Sequence, residues 1–125
     1  MKTNTFIIIV TAYTILLGVV SLFLPAFALE YFAGEPNNMQ HHSLINFIGG
    51  YQLAFGFLGF TLWKSTESNA RKAWLLTVAL LTILAIILTF YNKSVRMIPV
   101  GDTYFVDIAI WAIMAAGALY FRSKE

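Results

Sequence analysis

Asp107, in the run YFVDIAIW, is the one ionisable side chain inside the apolar stretches of this chain. A carboxylate at the centre of a membrane helix costs about 2.5–3.5 kcal/mol on insertion scales and less near its edge, so an intramembrane acid is a functional candidate by default. Its chemistry would be proton exchange, or a hydrogen-bonded anchor that fixes helix register. Asn46 and Gln52 are neutral amides within the uncharged run LINFIGGYQLAFGFLGFTLW, and Tyr104 precedes the acid by three residues. Asn46, Gln52 and Asp107 fall within about two helical turns of the same membrane interface. Gathered there, they predict an amphipathic pocket for a head group or hydroxyl, with apolar walls beyond. His41 and His42 are candidates for a metal or a pH response. Adjacent residues point to different sides of a helix, so the pair cannot chelate one metal without distortion, and the segment reads as a hydrated loop.

Much chemistry is excluded by missing parts. The chain has no cysteine, which removes disulfides, thiolate zinc sites and iron–sulfur clusters. No histidine falls inside an apolar run, so a haem between helices would lack its axial ligands. There is no Gly-rich phosphate loop and no GxSxG nucleophile motif. The first apolar run lacks the acid that a small multidrug exporter would carry there. No cofactor is indicated. The net charge of +2 comes from basic residues flanking apolar runs, which points to a bilayer and not to nucleic acid.

The elements that position these residues follow from composition. Hydrophobic residues make up 59% of the chain and charged ones 11%, against about 25% charged in soluble proteins. With a mean hydropathy of +0.75, the lipid bilayer is the solvent. Four uncharged or nearly uncharged runs, 5–24, 44–63, 73–91 and 104–121, each approach the ~20 residues that cross a hydrocarbon core as a helix. The fold expected is all-α: a single-domain polytopic membrane protein, an antiparallel four-helix transmembrane bundle with an interfacial loop at 25–43. The first half of that loop, around Phe27, Tyr31 and Phe32, suits a short amphipathic turn at the interface.

Small residues at steps of three and four mark where helices would touch. In the second span Gly49, Gln52, Gly56 and Gly59 share one face, with Gly50 beside them, and glycine lets membrane helices approach backbone to backbone. This span is expected to be the central packing helix. Thr11, Thr14, Gly18 and Ser21 repeat the spacing in the first span, and Ala109, Ala112 and Ala116 in the fourth. The third, with only Thr77, Thr82 and Thr89 as polar groups, is expected to face lipid most. Lys2, an apolar run and Ala26-Phe27-Ala28 also fit a cleavable signal peptide. A run of twenty exceeds the usual ~7–15 residues of such a segment, so a retained helix is expected. Lys2, Lys64, Arg71, Lys72, Arg122 and Lys124 flank one side of a four-span topology and only Lys93 and Arg96 the other, which places both termini in the cytoplasm.

LLGVVSLFLPAFALEYF and NFIGGYQLAFGFLGF resemble the small DoxX-like four-helix membrane proteins and related bacterial families of unknown function. Members often carry a basic residue just ahead of the glycine pair, where this chain has Ile45 and Asn46. The resemblance implies four antiparallel helices, a bacterial inner membrane and a role accessory to membrane redox systems. The expected function is a non-enzymatic bundle that binds a lipid, a quinone-like molecule or a larger membrane complex, with a membrane-protein partner or a second copy as associates. Two alternatives are a small proton-coupled transporter using Asp107 and a subunit whose partner holds the active site.

Overall fold

The computed structural model describes residues 1–125. Its regular structure is entirely helical: α1 Thr3–Phe23, α2 Pro25–Tyr31, α3 Met39–Leu62, α4 Ser68–Ser94 and α5 Tyr104–Lys124. The four long helices are each long and apolar enough to cross a membrane, which makes this a multi-pass membrane protein.

Local chemistry sets the boundaries. Pro25 cannot continue α1, and the clash it makes with its predecessor pushes Leu24 out of the helical region, to φ −129 and ψ 57. Pro25 then occupies the first turn of α2, where no N–H is needed. The short α2 closes in a Schellman motif, with Gly34 N donating to Leu29 O (2.6 Å) and Ala33 N to Glu30 O (3.2 Å). The left-handed position falls on Ala33, φ 61, where a Cβ costs about 1–2 kcal/mol. Asn38 caps α3 by accepting from His41 N at 3.1 Å. That cap starts α3 at Met39, ahead of the predicted 44, so His41 and His42 lie in its first turns and not in a hydrated loop.

Packing corrects the order of importance read from the sequence. α1 lies along α3 and α4 along α5, with α1 also touching α2 and α5, while α3 and α4 barely meet. Of the four spans α1 is the most buried, 33% of its apolar window, and α3 the least, 17%. The central helix is therefore α1, and α3 is the one that faces lipid most. The expected lipid-facing third span, α4, instead buries Trp74, Leu75, Val78, Ala79 and Thr82 in a helical stripe. Leu80, Leu81, Leu84 and Ile87 make its exposed side apolar as well, so an apolar face alone does not say which side is inward.

The α1–α3 contact runs through glycine. A Cβ on Gly18 would lie 2.8 Å from Leu53 N and 2.9 Å from Gly49 O, and one on Gly49 would lie 2.9 Å from Gly18 O. These are backbone atoms that cannot yield. Farther along, a Cβ on Gly56 would meet Ile15 Cγ1 at 2.5 Å, and one on Gly59 the Trp74 ring. Gly50 has no neighbour within 4 Å and does not belong to this seam. Ala112 and Ala116, with Ala109, are exposed. On α5 it is Ala115 and Ala118 that are buried, with Gly117 under the Phe6 ring. The run WAIMAAGALY offers small residues on every face, so spacing alone picks the wrong one.

One end of the bundle holds the compact core: Phe6, Ile7 and Val10 of α1, Leu62 of α3, the α4 stripe, and Ala118 and Phe121 of α5. Arg71, 5% exposed, caps it. Its guanidinium donates to the carbonyls of Leu62, Trp63 and Ser65 (3.1–3.2 Å), to Asn4 Oδ1 (2.7 Å) and to both carboxylate oxygens of Glu125 (3.0 and 2.9 Å). The starts of α1 and α4 and the ends of α3 and α5 thus meet at one side chain.

Two stability series are expected to follow in detergent unfolding. Gly49→Ala destabilises by about 1–3 kcal/mol through overpacking, whereas Gly50→Ala is neutral or stabilising by up to about 1 kcal/mol from helix propensity. Equal effects at the two positions would contradict the seam. Arg71→Met leaves buried acceptors and Glu125 unpaired and costs about 3–5 kcal/mol. Arg71→Lys does not restore it, because an ammonium has three donors and no fork.

Candidate functional site

The residues expected to share one pocket are distributed over three cavities. Asn46 lies in an outer groove of about 720 Å³ on the lipid-facing side of α3, with Leu22, His42, Phe47 and Gly50. Gln52 lines a central cleft of about 530 Å³ between the α1–α3 and α4–α5 pairs. Asp107 and Tyr104 line a smaller cavity of about 180 Å³ at the end of the bundle away from Arg71. Asn46 and Gln52 are six residues apart on one helix, a little over one and a half turns, and therefore face differently. Similar depth brings residues to the same level of a bundle without bringing them together.

The central cleft is mostly apolar. Val10, Tyr13, Thr14 and Leu17 of α1, Ile48, Tyr51, Gln52 and Phe55 of α3, Val78, Leu81, Thr82 and Ala85 of α4, and Trp111 and Met114 of α5 line it, with Phe32 at one end. It exists because α3 and α4 diverge beyond the core. Exposed Ile48, Tyr51 and Leu81 line it as well, so it reaches the lipid-facing surface. Its threonine hydroxyls are already engaged: Thr14 Oγ1 donates to Val10 O (2.8 Å) and Thr82 Oγ1 to Val78 O (2.8 Å). Gln52 differs. Its Oε1 is buried with no hydrogen-bond partner, a condition that costs about 1–3 kcal/mol for a buried polar group.

Phe32 and Trp111 line both the cleft and the smaller cavity, and so stand between them. Beyond them Asp107, 8% exposed, accepts a hydrogen bond from Tyr31 Oη at 3.1 Å. Its position in the first turn of α5 sets the carboxylate near the positive end of the helix dipole. Tyr31 is delivered by α2, whose end is pressed against Gly101; a Cβ there would strike the Tyr31 carbonyl. Tyr13 sits against Trp111, with Asp107 and Tyr31 among its polar neighbours. The sequence marks Tyr31 only as part of an interfacial turn and does not single out Trp111 or Tyr13. Nothing in the spacing of these aromatic residues announces the acid they surround.

His41 and His42 are occupied by the turn before α3. His41 Nδ1 accepts from Glu35 N at 3.3 Å, and the His42 ring bonds the Pro36 carbonyl. The structure assembles no group of three or more potential metal ligands.

Loss of the Tyr31–Asp107 hydrogen bond is expected to loosen α2 specifically. Tyr31→Phe should raise amide exchange across Pro25–Tyr31 by tenfold or more, on the order of the 1.5–3 kcal/mol of a bond to a charged group. Exchange in α1 and α4 should be unchanged, and a uniform rise along the chain would count against the latch.

No curated protein and no solved structure matches this chain. A family model described as a domain of unknown function, DUF8292, matches residues 8–124, which takes in most of α1, the other three spans, the cleft and the Asp107 cavity. The chain belongs to the DUF8292 family of domains of unknown function.

Proposed function

We propose that this protein binds an apolar amphiphile, a quinone-like molecule or a lipid, in the central cleft, and that it acts as an accessory bundle and not as an enzyme. The observation that carries the reading is the partnerless Gln52 Oε1 beside an apolar cleft of about 530 Å³. Mostly apolar walls with a small number of placed polar groups are what small-molecule sites share. The cleft borders lipid directly, so a membrane-dissolved ligand reaches it without crossing water. The flat rings of Phe55 and Trp111 along its walls suit a planar head group.

The setting proposed is the bacterial inner membrane with both termini cytoplasmic. Six of the eight basic residues flank the Arg71 end of the bundle, which supports this orientation. The exposed alanine face of α5 is a surface on which a larger membrane complex or a second copy would pack. The resemblance to DoxX-like proteins contributes the accessory role and rests on the residues quoted for it. The carrier reading rests on Asp107, which Phe32 and Trp111 hold apart from the cleft.

Mass spectrometry of the protein purified gently from its membrane tests the proposal. Wild type should retain one class of amphiphile in stoichiometric amount. Ala85→Trp, which fills the cleft, should lose it, and Gln52→Leu should weaken retention about tenfold, the equivalent of one hydrogen bond. The same lipids retained by all three proteins would sink the reading.

A further inference from the structure

The Asp107 cavity has a chemistry that the cleft does not share. We propose that it is a binding site for an organic ammonium group, held by the Asp107 carboxylate within an aromatic box of Tyr31, Phe32, Tyr104 and Trp111.

The argument begins with the missing partner. Asp107 is buried, yet the chain's single ion pair is Arg71–Glu125 at the opposite end, so no basic side chain neutralises this carboxylate. Its one hydrogen bond comes from Tyr31 to Oδ1. An ionised carboxylate has about four acceptor positions, and buried charges are ordinarily paired. Four of the side chains lining the cavity around it are aromatic. Ring faces attract an ammonium through their quadrupole, and cages of such rings are a recurrent recognition device for alkylated ammonium groups. One ring already does this within the chain: the Lys93 ammonium lies 4.1 Å from the Tyr104 centroid and donates to its hydroxyl, without pairing with Asp107.

Size narrows the ligand. At about 180 Å³ the cavity has room for several water equivalents of about 30 Å³ each. Ethanolamine or choline fits that space. A bare divalent ion would demand a shell of six or more oxygens, and the structure assembles no cluster of metal ligands. The ammonium group has two possible sources, the head group of a neighbouring lipid or a free amine.

Fluorine NMR of the full chain labelled with 5-fluorotryptophan separates them, because of the three tryptophans only Trp111 lines this cavity. The protein is placed in phosphatidylglycerol nanodiscs and titrated with ethanolamine hydrochloride, choline chloride or, as control, sodium chloride. A saturable shift of the Trp111 resonance with either amine and not with sodium identifies a free-amine site. A shift that appears only when phosphatidylethanolamine replaces the nanodisc lipid identifies a head-group site. In either case Asp107→Asn, which can still accept from Tyr31, should weaken the response at least about tenfold while the Trp63 and Trp74 resonances hold their positions. Tyr104→Leu should do the same from the other wall if the first variant folds poorly. Gln52→Leu, which probes the cleft, should leave the response intact. A Trp111 resonance that ignores both amines and the lipid exchange, or responds equally to sodium, overturns the proposal. So does wild-type binding in both cavity variants.

Discussion

Everything in this bundle depends on a guanidinium being satisfied at one end. Arg71 is nearly fully buried, and an unpaired charge there would be untenable. Its five donors can be used together only if the end of α3, the start of α1 and the residue that follows α5 converge on it. The convergence brings Phe6, Trp74 and Phe121 within packing distance and defines where the core sits. In lipid, apolar packing brings no hydrophobic gain, because acyl chains are as apolar as leucine. A directional polar knot at the end of the bundle supplies what the hydrophobic effect would supply in water.

A bundle tied at one end is free to open at the other. The α1–α3 pair is held along its length by backbone contact at Gly18 and Gly49, and α4–α5 form the second pair. Between the pairs only the knotted end is filled, so the middle stays open as the cleft. The far end is closed differently, by Tyr31 and Phe32 at the end of α2 and by Ile98, Pro99 and Val100 of the 95–103 segment, which line the cavity around Asp107. The three levels of the molecule differ in chemistry because they differ in how the helices are held apart.

Placing the polar groups in separate cavities has a consequence for selectivity. A single pocket containing Asn46, Gln52 and Asp107 would offer an acid to whatever entered from the lipid. Phe32 and Trp111 instead keep the carboxylate behind aromatic walls, while the cleft presents an uncharged amide. Apolar amphiphiles and charged head groups would then be sorted by geometry before any hydrogen bond forms.

The sequence by itself determined that the chain is helical with four spans, because the cost of unpaired backbone groups in lipid admits few structures besides helices of this length and composition. It also marked the glycine contact surface on α3 at Gly49, Gly56 and Gly59, since glycine has little other use inside an apolar helix. Only the tertiary structure decided which helix is central, which face of α4 and α5 is inward, and that Gly50, Ala112 and Ala116 point away from the interior. The reason is physical. When lipid and protein interior are equally apolar, hydrophobic periodicity carries no direction, and sidedness is set by where small residues and hydrogen bonds meet partners from distant segments. Arg71 illustrates this most clearly: in the sequence it is one more basic residue of a loop, and its importance lies entirely in Asn4, Leu62 and Glu125, which only folding brings to it.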